Sequence, residues 1–215
     1  MKAGLFGGTF NPVHMAHIRI ADHVRQQLEL DKIFFFPSAT PPHKPGTDLA
    51  PAKDRYDMVV ESLKHKDGLV PSDIEISRKG PSYTIDTIGV FTRRYGETCR
   101  FYLLMGSDAF FDTPSWKRQK DIFAAVSIVV MPRQGTVAPP EIQSFLDEQI
   151  AKGYTWHQEE QQFAHDRLKP VRVCPVPLID ISSTLIRNRV KQHLPIKGLV
   201  PAPVEKIIRE RKLYL

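Results

Sequence analysis

The stretch Lys2-Ala3-Gly4-Leu5-Phe6-Gly7-Gly8-Thr9-Phe10-Asn11-Pro12-Val13-His14-Met15-Ala16-His17 decides how this chain is read. Lys2–Phe6 is a short apolar run that reads as a buried strand. Gly7-Gly8 then lets the backbone turn tightly or approach a ligand closely. His17–Leu28 reads as a helix, with Ile20, Ala21, Val24 and Leu28 on one face. A strand that runs through glycines into a helix N-terminus is a phosphate-binding arrangement, because the first amides of a helix are unpaired and carry partial positive charge. His14 and His17 are three residues apart and share a face of the first turn. Both imidazoles are candidate donors to phosphate oxygens. Gly-Gly alone is equally a simple turn, and His-x-x-His is also half of a metal set. Neither the dinucleotide fingerprint nor the P-loop spacing is met.

Outward from this stretch, strand and helix alternate. Lys32–Phe36 is a near-continuous apolar run, as expected of a strand buried on both faces. Pro37–Gly46 is proline-dense and excludes both helix and ladder. Pro51–Leu63 reads as a helix with Tyr56, Val59, Val60 and Leu63 inward. Asp73–Ser77 is a plausible strand, and Ser82–Tyr95 a helix with Ser82 as candidate N-cap. Strands follow at Arg100–Met105 and Ala125–Met131, with weaker ones at Val171–Val173 and Leu178–Ile181. Ser182–Gln192 and Pro203–Arg211 close the chain as helices. This order predicts an α/β fold, a doubly wound Rossmann-like parallel sheet with helices on both faces. One nucleotide-binding domain is expected over 1–215, with a less regular excursion at about 134–169. Ligands in such sheets bind beyond the carboxyl ends of the strands. Gly7–His17, Ser38–Lys44, Gly106–Asp108 and Arg133 therefore become candidates for one cleft.

A second motif, Ile181-Ser182-Ser183-Thr184-Leu185-Ile186-Arg187, opens a helix with successive hydroxyl residues. One hydroxyl can cap the helix while the others, with the free amides, face an anion. Arg187 lies one turn on and can clamp phosphates. By itself this motif is also an ordinary Ser-capped helix with a solvated arginine.

The whole composition sets wider bounds. The 215 residues suit one domain, and 30 Lys and Arg against 24 Asp and Glu give a net charge of +6. No dense basic tract or aromatic-basic signature accompanies that excess, so nucleic acid is not expected as a partner. No apolar run is long enough for a bilayer span, and Gly7-Gly8 ends the N-terminal apolar stretch too early for a signal peptide. Cys99 and Cys174 read as buried thiols of a cytoplasmic protein.

Taken together, the two motifs resemble the nucleotidyltransferase superfamily of the (His/Thr)-x-Gly-His type, with its Ile-Ser-Ser-Thr-x-Ile-Arg signature. More closely, Gly7–His17, Pro41-Pro42-His43-Lys44, Gly106-Ser107-Asp108 and Ile181–Arg187 resemble, in order, the bacterial nicotinate-mononucleotide adenylyltransferase family. The resemblance spans essentially the whole chain and is weak over 134–169. Ala16 departs from it, standing where the superfamily has Gly.

The resemblance implies a set of roles. ATP would be met by Gly7, Gly8, Thr9, Phe10, Ile181 and Ser182, with His14, His17, Ser183, Thr184 and Arg187 on its phosphates. Adenosine would lie near Gly106, with Asp108 toward ribose or a metal-bound water. Lys44 would reach the reacting phosphates. The mononucleotide would be met by Asn11, Lys44, Arg133, the backbone of Tyr83 and Thr84, and Trp116 as a stacking platform. His14, His17, Lys44 and Arg187 would carry catalysis. Mg²⁺ would arrive with ATP, with no dedicated metal cage. The substrates implied are ATP and nicotinate mononucleotide. Nicotinamide mononucleotide, phosphopantetheine or a cytidylyl reaction are the alternatives, and a non-catalytic nucleotide-binding module is the remote one.

Overall fold

The computed structural model describes residues 1–39, 48–78, 80–96, 98–132 and 137–215. Strand β1 (Lys2–Gly8) lies inside the sheet, third from one edge. Helix α1 (Met15–Gln27) leads to β2 (Lys32–Pro37), and α2 (Ala52–Leu63) leads to the edge strand β3 (Leu69–Pro71). The chain then returns through α3 (Thr84–Tyr95) to β4 (Arg100–Gly106), on the other side of β1. From there α4 (Ser107–Phe111) and α5 (Gln119–Ala125) lead to β5 (Ser127–Met131). All these neighbours pair in parallel. The direction of winding therefore reverses between β1 and β4, which is where an open α/β sheet forms a crevice.

The two faces of the sheet divide the core by strand alternation. Phe6, Ile33, Phe35, Leu104 and Val129 point to the face covered by α1, α2, α7 (Ser183–Lys191) and α8 (Ala202–Glu210). Leu5, Phe34, Phe36, Leu103 and Val130 point to the face covered by α3, α4, α5 and α6 (Pro139–Phe145). Each strand carries apolar side chains on both faces, which is why the strands read as continuous apolar runs.

Four expectations are corrected. First, the described part of 134–169, residues 137–169, joins the sheet rather than leaving it. After α6 and a π-helical turn, Leu146–Ile150, the chain forms an antiparallel hairpin of β6 (Thr155–His157) and β7 (Gln162–Ala164). β7 pairs antiparallel with β8 (Val171–Val173), and β8 pairs parallel with β5, so this segment completes an eight-stranded sheet with an antiparallel edge. Second, the edge strand is Leu69–Pro71, and Asp73–Ser77 forms turns. Third, Leu178–Ile181 is not a strand. Fourth, α2 is rotated from the expected face. It buries Arg55, Met58, Val59, Ser62 and Leu63, while Tyr56 and Val60 are half-buried.

No helix among the described residues is long and apolar enough to cross a membrane. Cys99 and Cys174 are both buried free thiols. Burial pushes the Cys174 thiol up to about 11.

Candidate active site

β1 extends through both glycines, since Gly7 and Gly8 pair with Phe36 and Pro37 of β2. A Cβ on Gly7 would stand 2.5 Å from the Phe36 ring. Packing thus demands glycine here, before any ligand is considered. Beyond Gly8 the backbone turns sharply, and Phe10 takes a φ of 45°. That left-handed conformation is uncommon for a bulky residue. It is held because the Phe10 ring is buried among Phe6, Phe35 and His17, with centroids 5.7, 5.6 and 5.1 Å away. Phe10 therefore shapes the cleft by fixing His17 rather than by offering its own surface.

The two histidines form one unit. Their rings stack with centroids 3.6 Å apart. The His14 amide donates to His17 Nδ1 at 3.2 Å, one half of a capping box at the start of α1. Because His17 Nδ1 accepts that bond, a neutral His17 carries its proton on Nε2, which makes Nε2 a donor. The Met15 amide donates to the Leu199 carbonyl at 2.9 Å. These bonds use amides that the sequence assigned to phosphate. The start of α1 is thus bonded largely within the protein itself. Ala16 is only 3% exposed, so its methyl lies in the fold and adds little to a ligand surface.

The second motif is stitched to the first. Ser182 caps α7, its Oγ accepting from the Leu185 amide at 3.1 Å. Ser183 Oγ donates to the Pro12 carbonyl at 2.9 Å, and Arg187 Nη1 donates to the Asn11 carbonyl at 3.0 Å. Arg187 Nη2 also donates to Thr184 Oγ1 at 3.3 Å, which leaves the Thr184 hydroxyl its own proton to give. The Ser183 hydroxyl proton is committed to Pro12. The Ser183 backbone amide opens α7. Ile181 is half-buried and packs against the core that holds α1.

Gly106 ends β4 and precedes α4, with Ser107 buried and Asp108 exposed at the first turn. Ser107 and Asp108 follow β4, the strand that pairs with β1 at the reversal point. Asn11 is buried, and both ends of its carboxamide are engaged: Nδ2 donates to the Asp48 carbonyl at 2.8 Å and Oδ1 accepts from the Ala50 amide at 3.0 Å. Its side chain thus ties the chain together where a mononucleotide contact was expected. Lys191 donates to the Asp48 carboxylate at 2.7 Å and holds it below the usual carboxylate range.

The expected pyridine residues also converge. α3 begins at Thr84 with Tyr83 in the N-cap position. Ser82 is not the cap; its Oγ accepts from the Ala39 amide at 3.1 Å. Trp116 follows a 3-10 turn, Thr113–Ser115, and its Nε1 donates to Asp112 Oδ2 at 3.3 Å. Lys117 places its Nζ 4.3 Å above the Tyr83 ring and 3.3 Å from Asp86, bringing the Trp116 turn beside the start of α3. Lys44 and Arg133 lie outside the described residues.

The most heavily bonded side chain near the cleft went unread in the sequence. Arg55 is fully buried and donates to the carbonyls of Ala50, Thr9 and Ala39 at 2.9, 2.8 and 3.1 Å. Nearby Glu75 is buried too and accepts from Thr87 Oγ1 at 2.6 Å, and burial raises its carboxyl above the ordinary value. The one available signal was Arg55 in helical register with Met58, Val59 and Ser62.

Among the described residues no group of three or more His, Cys, Asp or Glu could hold a metal ion. The donors at the reversal point are imidazole, guanidinium, hydroxyl and amide, with Asp108 as the exposed carboxylate. That chemistry suits phosphate oxygens.

Comparison with known proteins gives the family and the fold. The cytidylyltransferase-like family model matches residues 5–189. A probable nicotinate-nucleotide adenylyltransferase of Geotalea daltonii is 39% identical over 214 residues, covering 100% of this chain and 98% of that one. The chain belongs to the nicotinate-nucleotide adenylyltransferase family. A Geobacter sulfurreducens relative of the same name is 38% identical over 215 residues, with 100% and 98% covered. In fold, the chain is similar to Plasmodium falciparum nicotinic acid mononucleotide adenylyltransferase complexed with NaAD, with a TM-score of 0.75 at 17% identity, covering 99% of this chain and 97% of that one.

Proposed function

We propose that this chain transfers AMP from ATP to nicotinate mononucleotide, giving nicotinate adenine dinucleotide and pyrophosphate, as a step of NAD biosynthesis. The observation that carries this reading is the stitching of two motifs, about 170 residues apart in sequence, into one anion-directed surface. Ser183 and Arg187 bond the backbone of the loop that presents His14 and His17. Family membership supplies the acceptor.

The 5′-phosphate of the mononucleotide attacks the α-phosphorus of ATP in line. A new P–O bond forms as the bond to the β-phosphate oxygen breaks, and pyrophosphate leaves. A phosphate monoester has a second pKa of about 6, so at neutral pH the nucleophile is mostly dianionic and needs no general base. Catalysis then rests on positioning and charge stabilisation. His17 donates from Nε2 to the α-phosphate, with His14 stacked against it. Arg187, Thr184 and the first amides of α7 hold the phosphates. Lys44 reaches the reacting phosphates. Gly106 and Asp108 receive the adenosine. Trp116 stacks on the pyridine, and the amides at the start of α3 meet its carboxylate; Arg133 assists on phosphate or carboxylate. Mg²⁺ would enter as MgATP and offset charge on the phosphates, and Asp108 would meet a metal-bound water. The substrates are small molecules, with nucleic acid not among them, and the compartment is the cytoplasm. The test is pyrophosphate release from MgATP with nicotinate mononucleotide, nicotinamide mononucleotide or phosphopantetheine as acceptor. Activity on the first is expected, and activity confined to the last would overturn the reading.

A further inference from the structure

The Arg55 guanidinium meets three separate stretches of backbone. Thr9 belongs to the loop that carries the histidines, Ala39 follows β2, and Ala50 precedes α2. The two alanines flank residues 40–47 on either side. Each stretch has a second tie. Ala39 donates its amide to Ser82 Oγ at the approach to α3, and Ala50 donates its amide to Asn11 Oδ1. Asn11 in turn accepts Arg187 on its carbonyl, so Thr9 lies two residues from the contact that orients the arginine of the second motif.

Its bonds go to neutral carbonyls, and taking a charge out of water is costly. An apolar replacement would leave those carbonyls without their donor, at about 1–3 kcal/mol for each that is buried, so stability and positioning both depend on this residue and kinetics separates the two. What an apolar side chain cannot do is fix three backbone segments in one plane, as a rigid, five-donor fork can.

We infer that Arg55 is a positioning residue of the reaction: from inside the fold it holds the histidine loop and the chain on both sides of residues 40–47 in their reactive arrangement. It touches no substrate and acts through Thr9, Ala39 and Ala50. The inference rests on the adenylyltransferase reading above. Its loss displaces reacting groups, so it lowers turnover more than ground-state affinity. Displacement of about 1 Å from a distant change can cost roughly 10²-fold in rate, so a loss of about tenfold to a hundredfold is expected.

The experiment compares Arg55→Met, Arg55→Lys and Met58→Ala with the unmodified protein, each assayed for pyrophosphate release well below its unfolding temperature and normalised to folded protein. Met58 is fully buried on the same helix and makes none of these ties, so its truncation destabilises the fold while leaving the Arg55 hydrogen bonds in place. Arg55→Met is expected to lower kcat by tenfold or more while each KM changes by less than threefold. Met58→Ala should keep kcat within twofold. If Arg55→Met does not fold, Arg55→Lys decides, because it keeps the charge but cannot hold three carbonyls in a plane; its kcat should also fall at least threefold. Wild-type kcat in a folded Arg55 variant overturns the inference. So does an equal loss in Met58→Ala, or a rise in KM with kcat intact. If the unmodified protein releases no pyrophosphate with any acceptor, the adenylyltransferase reading fails instead.

Discussion

His17 serves two purposes at once, and substitution can separate them. Its Nδ1 accepts the His14 amide at 3.2 Å, and its ring fills the space beside Phe10 and Phe6. Its Nε2 is the donor assigned to the α-phosphate. His17→Ala removes both roles. Losing a capping acceptor costs about 1 kcal/mol of stability, and losing the aromatic contacts adds roughly 0.5–1.5 kcal/mol. Together they lower Tm by about 3–10 °C in a domain of this size. Losing one preorganised donor costs about 2.7–4 kcal/mol in the transition state, or roughly 10²–10³ in kcat. His17→Asn is the discriminating variant. Its Oδ1 occupies the δ position and accepts the same amide, but nothing stands where Nε2 was. Thermal unfolding of His17→Asn should recover at least half of the loss, while kcat, from continuous pyrophosphate release at saturating MgATP, stays down with His17→Ala. Recovery of kcat alongside stability would reduce His17 to a helix cap and refute the assignment.

Other outcomes follow from the same geometry. Ser183→Ala should strip a donor from the buried Pro12 carbonyl and destabilise by about 1–3 kcal/mol in urea unfolding, with kcat changing less than in Arg187→Ala. Trp116→Ala should raise KM for nicotinate and nicotinamide mononucleotides alike and leave the ratio of their kcat/KM values within about threefold, since stacking serves either ring; collapse of the ratio would mean that Trp116 sets specificity. Burial holds Cys174 protonated up to about 11. A raised folded-state pKa stabilises fully below the unfolded value of about 8.5, and that stability is lost as pH climbs toward 11, at about 1.4 kcal/mol per unit. Denaturant unfolding between pH 8 and pH 10.5 should show this loss, and Cys174→Ala should flatten the slope below pH 10. Tyr154 and Tyr214, also raised by burial, steepen it above that.

The central sheet was legible because its strands are buried on both faces, so each appears as an apolar run broken by glycine or proline. Its edges were not. β3 is three residues ending at Pro71, and the alternation of Ile74 and Ile76 imitated a strand where the chain only turns. The β6–β7 hairpin is short and largely polar, because an edge has one exposed flank and little core to bury. In the candidate site, residues with phosphate-binding chemistry in a local motif stood out: His14, His17, Ser182–Thr184 and Arg187. Residues that act by holding backbone did not. An arginine gives no apolar signal, so the buried face of α2 at Arg55 and Ser62 is invisible to a count of apolar residues, which selects Tyr56 and Val60 instead. Nothing local to Asn11 indicates that Asp48 and Ala50 approach its side chain. Hydrogen bonds between stretches far apart in sequence carry no local periodicity, so only the folded structure reveals them.

The most direct test of the account is the acid-to-amide ratio in the unmodified protein: kcat/KM for nicotinate mononucleotide over nicotinamide mononucleotide, by pyrophosphate release with MgATP. The amides that open α3 at Thr84 favour a carboxylate by hydrogen bonding and by the helix dipole. A carboxamide sets its own N–H₂ donors against them, and a buried polar group left unmet costs about 1–3 kcal/mol. The account predicts a preference for the acid of roughly tenfold to a hundredfold. Equal use of both, or a preference for the amide, would contradict it.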